Sequence, residues 1–285
     1  MKAIFLTLFT APLALANPFE PSNIPADANW YLHLNLTALR ETKTGGIVVA
    51  SIRETQFDTL DQIENIFEFN PLTDLTGVTL FGSGKANEGA AIIQGNLNKA
   101  RFQEVIVHAE NHQTSVHGST TVHQWDDKGK TQHAAFHGEK TIIISPQKES
   151  VFLGIDVLTK DKAGLPANKE LPAKNPTLVA FANISKIDMP DDEGSRIVRR
   201  AKSLMVTLGE NQGRLEMAMV AETNDAITTQ RMAKVMEGLI SLGQLADENI
   251  SALDINHTSK VTEKTMTMTM DLSATKALEI LSEMR

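Results

Sequence analysis

Two stretches of this chain follow the same pattern: two strand-like segments joined by a turn, then a helix with one apolar face. They span residues 78–107 and 205–236. In the first, segments 78–82 and 90–94 precede a helix capped by Asn98, with Phe102, Val105, Ile106 and Ala109 at i, i+3, i+4 and i+7. In the second, segments 203–208 and 214–221 flank a turn at 210–213. The helix that follows, over about 226–245, is expected to bury Met232, Val235, Met236 and Leu239. Strands joined by so few residues must run antiparallel. A helix with one apolar stripe must lay it on a flat apolar surface. Together these patterns predict an α+β chain.

The flanking segments extend the parallel. Trp30 to Leu36 alternates, which predicts a strand with Leu32, Leu34 and Leu36 inward. Thr37 is expected to cap a helix that Gly45-Gly46 interrupts and that resumes toward Phe69. Ile47-Val48-Val49-Ala50 has the composition of a core segment. Strands are expected over 115–125, 131–137 and 141–145, and a helix over 149–158. In the second half, strands are expected at 178–183, 252–257 and 260–272, the last strictly alternating. A closing helix would bury Ala277, Leu281 and Met284. Residues 160–176 carry three prolines and little periodicity, the chemistry of a linker. The expected layout is therefore an N-terminal α+β domain (17–159), a linker (160–176) and a similar C-terminal α+β domain (177–285). Each would be a mainly antiparallel sheet with helices on one face. The duplication rests on element order, because residue identity between the halves is low.

The N-terminus predicts export. Lys2 precedes the mostly apolar run Ala3 to Leu15, and Ala14-Leu15-Ala16 is a small-x-small site. Residues 1–16 thus read as a signal peptide cleaved after Ala16, and the product as periplasmic or secreted. The run is too short to span a bilayer, and no later segment has the length of a membrane span. The chain has no cysteine, so its fold relies on core packing rather than disulfides. A net charge of −8 argues against nucleic acid as a partner.

Ile24-Pro25-Ala26-Asp27-Ala28 leads into the first strand. Later comes Phe69-Asn70-Pro71-Leu72-Thr73-Asp74-Leu75-Thr76-Gly77-Val78-Thr79-Leu80-Phe81-Gly82. In both stretches the chain resembles exported proteins of unknown function from planctomycete- and verrucomicrobium-like bacteria. The resemblance implies the same export and two-domain layout, and it brings no catalytic residues with it.

Three groups of residues could carry chemistry. Six of the eight histidines lie between positions 108 and 137. If 126–130 is a symmetric hairpin loop, Trp125 faces Thr131 and His123 faces His133. His137 and His117 share that parity, so His117, His123, His133 and His137 would lie on one solvent-facing sheet surface able to hold Zn²⁺ or Cu²⁺. The same residues also fit a merely polar face, or one that responds to pH. His108 and His112 stand at i, i+4 but lack the glutamate of a metalloprotease helix.

Methionine is the second group, with ten of eleven at or beyond Met189. Met217 and Met219, and Met266, Met268 and Met270, share strand faces. These thioethers suit either Cu(I) or an irregular core. Arg196, Arg199 and Arg200 form the third, able to receive an anion or to pair with Asp191, Asp192 and Glu193. No nucleophile elbow, phosphate-binding loop or dinucleotide fingerprint is present. Three functions stay open: a non-enzymatic module binding an envelope protein or itself, a periplasmic metal-binding protein, and a hydrolase.

Overall fold

The computed structural model of the chain describes residues 18–85, 88–166, 171, 176–189, 193–246 and 248–283. The expected signal peptide, and Asp191 and Asp192, lie outside them. β1 (Trp30–Asn35) leads through α1 (Leu36–Arg40), α2 (Lys43–Thr55), α3 (Phe57–Phe67) and α4 (Pro71–Asp74) into the hairpin β2 (Leu75–Gly82) and β3 (Gly89–Gly95). Then come α5 (Lys99–Val107), β4 (Gln113–His117), β5 (Thr120–Asp127), β6 (Lys130–His137), β7 (Thr141–Ser145) and α6 (Lys148–Thr159). The second half runs β8 (Leu178–Asn183), α7 (Glu193–Val198), β9 (Ala201–Asn211), β10 (Arg214–Thr223), α8 (Ala226–Ala246) and α9 (Glu248–Ala252). It closes with β11 (Asn256–Val261), β12 (Thr265–Ser273) and α10 (Ala274–Glu283).

The α+β expectation holds, but the strands do not divide into two sheets. Among the described residues all twelve form one antiparallel sheet, ordered β11-β12-β10-β9-β8-β1-β2-β3-β7-β6-β5-β4. The halves join where β1 pairs with β8, Tyr31 opposite Phe181 and His33 opposite Val179. Each half alone would leave a long apolar edge strand at this seam, and pairing removes both edges. A second tie crosses the halves at one end of the sheet. There the Glu210 carboxylate accepts the backbone N–H groups of Lys43 and Thr44 at 3.3 and 3.0 Å. Burial opposes ionisation of Glu210, but the bonds from Thr44 and Lys43 outweigh it and hold the carboxyl below its ordinary range.

Helices cover both faces of this sheet, not one. On one face Tyr31, Phe81, Ile92, Val122, Ala135, Ile143 and Val179 pack with Val151 and Ile155 of α6 and with Ile24. The other face carries Ala182, Leu204, Met219, Ala221 and Met266 beneath Met232, Ala233 and Met236 of α8. The register explains the division. Phe181 faces Tyr31 on one side, so its neighbour Ala182, opposite Leu204, points to the other. In β1 the fully buried residues are Tyr31 and His33, while Leu32 and Leu34 are half-buried.

Local signals placed most elements correctly and some boundaries not. Asn35, not Thr37, caps α1 by accepting the Ala38 N–H at 3.0 Å. Gly45 and Gly46 lie inside α2, and the break comes at Glu41-Thr42 instead. There Thr42 caps α2, its hydroxyl oxygen accepting the Gly45 N–H at 2.9 Å. Ile47 and Val48, expected in a core, are exposed on α2. Stretch 160–176 is not a free linker in its described part: Gly164 bridges to Pro25, Leu165 donates to the Ile24 carbonyl at 2.8 Å, and Leu165 and Leu171 pack on the core.

Candidate functional site

The four histidines of the expected metal face are split by register. β5 and β6 are joined by the two-residue turn Lys128-Gly129, both at positive φ (51° and 76°). This pairs Asp127 with Lys130, so His123 faces Ala134 and His133 faces Gln124. The shift is one residue from a symmetric five-residue loop, and it sends His123 to the opposite face from His133. His117, His133 and His137 keep a common face, but it is the face beneath α6 rather than a solvated one.

Each histidine there has its own surroundings. His117 places Nε2 2.5 Å from the Asp156 carboxylate of α6, and its ring stacks on Phe152 at 4.1 Å between centroids. His133 is buried, with Nε2 3.2 Å from Gln124 Oε1 and Nδ1 without a hydrogen-bond partner. His137 lies opposite Thr141. Among the described residues no three His, Asp or Glu side chains stand together as a metal would require.

A different pair does form. His112, in the loop before β4, brings Nε2 within 3.1 Å of His123 Nδ1, and the two rings stack at 5.4 Å. Phe136 meets His123 edge-on at 6.1 Å, and His123 Nε2 is buried without a hydrogen-bond partner. One ring must donate and the other accept, so the contact suits neutral imidazoles. Burial, and then the nearby His112, lower the His123 pKa below its ordinary 6.5. Sequence spacing suggested His108 as the mate of His112. Instead His108 Nδ1 lies 2.8 Å from the Glu104 carbonyl.

This pair predicts a pH dependence of known sign. The unfolded chain binds a proton at this position more readily than the folded one, so stability present above pH 6.5 is lost as the pH falls through and below it. Urea titrations at pH 7.5 and 5.5 are expected to show a larger loss for the parent chain than for His123→Leu. Equal losses would remove His123 from the account.

Several of the described methionines belong to the core: Met205, Met232, Met266 and Met268 are buried, and Met219 and Met236 pack against them or their neighbours. Met219 faces Met268 and Met217 faces Met270 across β10 and β12, on the side that α8 covers. Arg199 donates to the Met189 carbonyl. Arg196 and Arg200 line a cavity of about 390 Å³ beside α8. A second cavity, of about 360 Å³, opens between the β2–β3 turn and the start of α6, with Asp27, Phe81, Ser83, Glu88 and Glu149 among its walls. Ser83 donates to Glu88 at 2.6 Å. That bond, foremost, keeps the Glu88 carboxyl below its usual range, which makes it a poor base for activating the serine.

The sequence reading missed a surface at the end of the second half. α8 turns Met232 and Ala233 inward, but Val235, Leu239, Leu242 and Leu245 are 41, 51, 60 and 85% exposed. The first three recur at i, i+4 and i+7 and form one shoulder of the helix. α8 is tied to the edge strand β11 where Ser259 donates to Glu237 at 2.5 Å. Glu237 is about half a turn round the helix from Val235, Leu239 and Leu242, so β11 lies on the opposite flank of α8 from the shoulder, which is on the side of α7. The apolar width of α8 was legible as periodicity, but how much of it the sheet covers was not.

No family model and no curated protein matches the chain. Among solved structures it is similar to TP0453 of Treponema. Crystal form III aligns with a TM-score of 0.53 and 9% identity over 93% of this chain and 98% of that one. Crystal form I aligns at 0.50 and 9%, over 94% and 98%. The likeness establishes the fold. Among the described residues no helix is long and apolar enough to cross a membrane.

Proposed function

We propose that the protein is an exported, non-enzymatic binding module of the cell envelope, which captures a protein partner along the α8 shoulder. The observation that carries the reading is the exposed row Val235, Leu239, Leu242 and Leu245 on α8. Contiguous exposed apolar side chains of this kind mark interaction surfaces. Lys2, the apolar run to Leu15 and Ala14-Leu15-Ala16 support export. The shared order of strand, hairpin, helix, further antiparallel strands (four in the first half, two in the second) and helix on either side of the β1–β8 seam supports two related halves.

The test places a photo-crosslinking residue at Leu242 in the exporting cell. A dominant adduct with one envelope protein is expected, reduced at least about tenfold by Leu239→Asp. These positions face solvent, so the folded chain should tolerate both changes. An adduct with a second copy of the chain would replace the partner by self-association. Recovery of uncrosslinked monomer alone would overturn the reading.

A further inference from the structure

Four thioethers share one patch of the sheet. Met217 and Met219 of β10 stand opposite Met270 and Met268 of β12, on the face that α8 covers. Opposed residues on neighbouring strands have Cβ atoms about 4.5–5.5 Å apart, and alternate residues along a strand are about 6.8 Å apart. The centre of this rectangle therefore lies about 4 Å from each of the four Cβ atoms. That is within the reach of a methionine side chain plus a metal–sulfur bond of about 2.3 Å, the length seen for zinc. One ion at the centre can be met by all four sulfurs.

The surroundings favour a soft ion over a hard one. Glu216 and Asp271, the carboxylates that adjoin the patch in sequence, alternate to the other face, where Asp271 pairs with Arg214. On the α8 side, Glu237 accepts the Ser259 hydroxyl. Thioether sulfur is a soft, uncharged donor that suits Cu(I) rather than Mg²⁺ or Ca²⁺. The core of the first half is built from Tyr, Phe, Ile, Val, Leu and Ala without a methionine, so packing beneath a helix does not by itself call for thioethers. The patch also lies where the core gives way to water. Met217, Met219 and Met270 are half-buried, and Leu208, opposite Met217, is 36% exposed. The β11 residues opposite Met270 and Met268 are the polar His257 and Ser259. An ion can therefore reach the sulfurs from solvent.

We propose that this patch is a binding site for a soft monovalent cation, Cu(I) or its analogue Ag(I), held by the sulfurs of Met217, Met219, Met268 and Met270. The site lies under the inner side of α8 and shares no residue with the exposed shoulder, so it stands or falls independently of the partner surface.

Anaerobic titration of the purified, tag-free protein with Cu(I), in competition with a chromophoric Cu(I) chelator, tests it. One Cu(I) per chain is expected. Leucine nearly conserves the volume of methionine and removes the sulfur donor, so Met217→Leu/Met270→Leu should keep the packing and the urea midpoint. The double variant should weaken Cu(I) binding at least about a hundredfold, the upper end of what losing a group that merely orients a ligand costs. Met205→Leu is the control. Met205 is buried on the other face, opposite Phe181 and Val220, and its replacement should leave the affinity unchanged. X-ray absorption of the loaded parent chain should show mainly sulfur around the metal, and it decides the matter if the double variant fails to fold. Absence of stoichiometric Cu(I) would overturn the proposal. So would equal affinity in the double variant, an equal loss in Met205→Leu, coordination mainly by nitrogen or oxygen, or displacement of Cu(I) by equimolar Zn²⁺.

Discussion

Replacing Phe81 by alanine is expected to lower the unfolding free energy by about 3–5 kcal/mol. Phe81 is 1% exposed in β2, opposite Tyr31 on one side and Ala90 on the other. Its side chain belongs to the cluster that includes Val151 and Ile155 of α6, so truncation leaves a void that strands on both sides hold open. Neighbours anchored in a twelve-stranded sheet collapse poorly into such a space, which places the cost at the upper end for large-to-small changes. Phe57 provides the contrast. It is 64% exposed on α3, and Phe57→Ala should stay within about 0.5 kcal/mol. Urea midpoints at constant m-value measure both. A cost below about 1 kcal/mol at Phe81 would mean that this cluster is not the core of the first half.

Gly164→Ala is expected to cost about 3 kcal/mol, although it adds a single methyl group. A Cβ at this position would lie 2.1 Å from the Ser22 carbonyl oxygen and 2.6 Å from its carbon. Both are backbone atoms and cannot swing aside as a long side chain would. The chain on one side or the other must move, and the Gly164–Pro25 bridge and the bond from Leu165 to the Ile24 carbonyl go with it. Ile24 is fully buried, so releasing it exposes apolar surface as well. Gly118 is the control, because a Cβ there meets nothing within 4 Å, though its φ of +57° carries a backbone penalty of its own. Hydrogen exchange should show lost protection around Ile24 and Leu165 in Gly164→Ala and not in Gly118→Ala. Unchanged protection would return this stretch to the status of a linker.

The candidate sites show where sequence reasoning succeeded and where it stopped. The histidine register turned on one feature. Lys128-Gly129 could be read as a two-residue turn, because glycine at the second position accepts the positive φ that such turns require. That choice, rather than a five-residue loop, decides whether His123 faces His133 or Ala134. The His112–His123 contact carried no such signal, since eleven residues and a loop separate the two rings. The arginine cavity was half visible. Arg196 and Arg200 share a helical spacing, but Arg231 reaches the same cavity from α8.

What the sequence determined by itself was local: period-two alternation for the strands, 3.6-residue apolar stripes for the helices, and the Asn98 cap of α5. These follow from side-chain direction and backbone hydrogen bonding over a few residues. Only the tertiary structure decided that β1 and β8 join two expected sheets into one, that α6 and α8 take opposite faces, and that the described parts of 160–176 pack on the core. Edge pairing and the choice of face depend on which apolar surfaces remain uncovered once every element is in place. The outer apolar shoulder of α8 is the part that the sheet, as folded, leaves open.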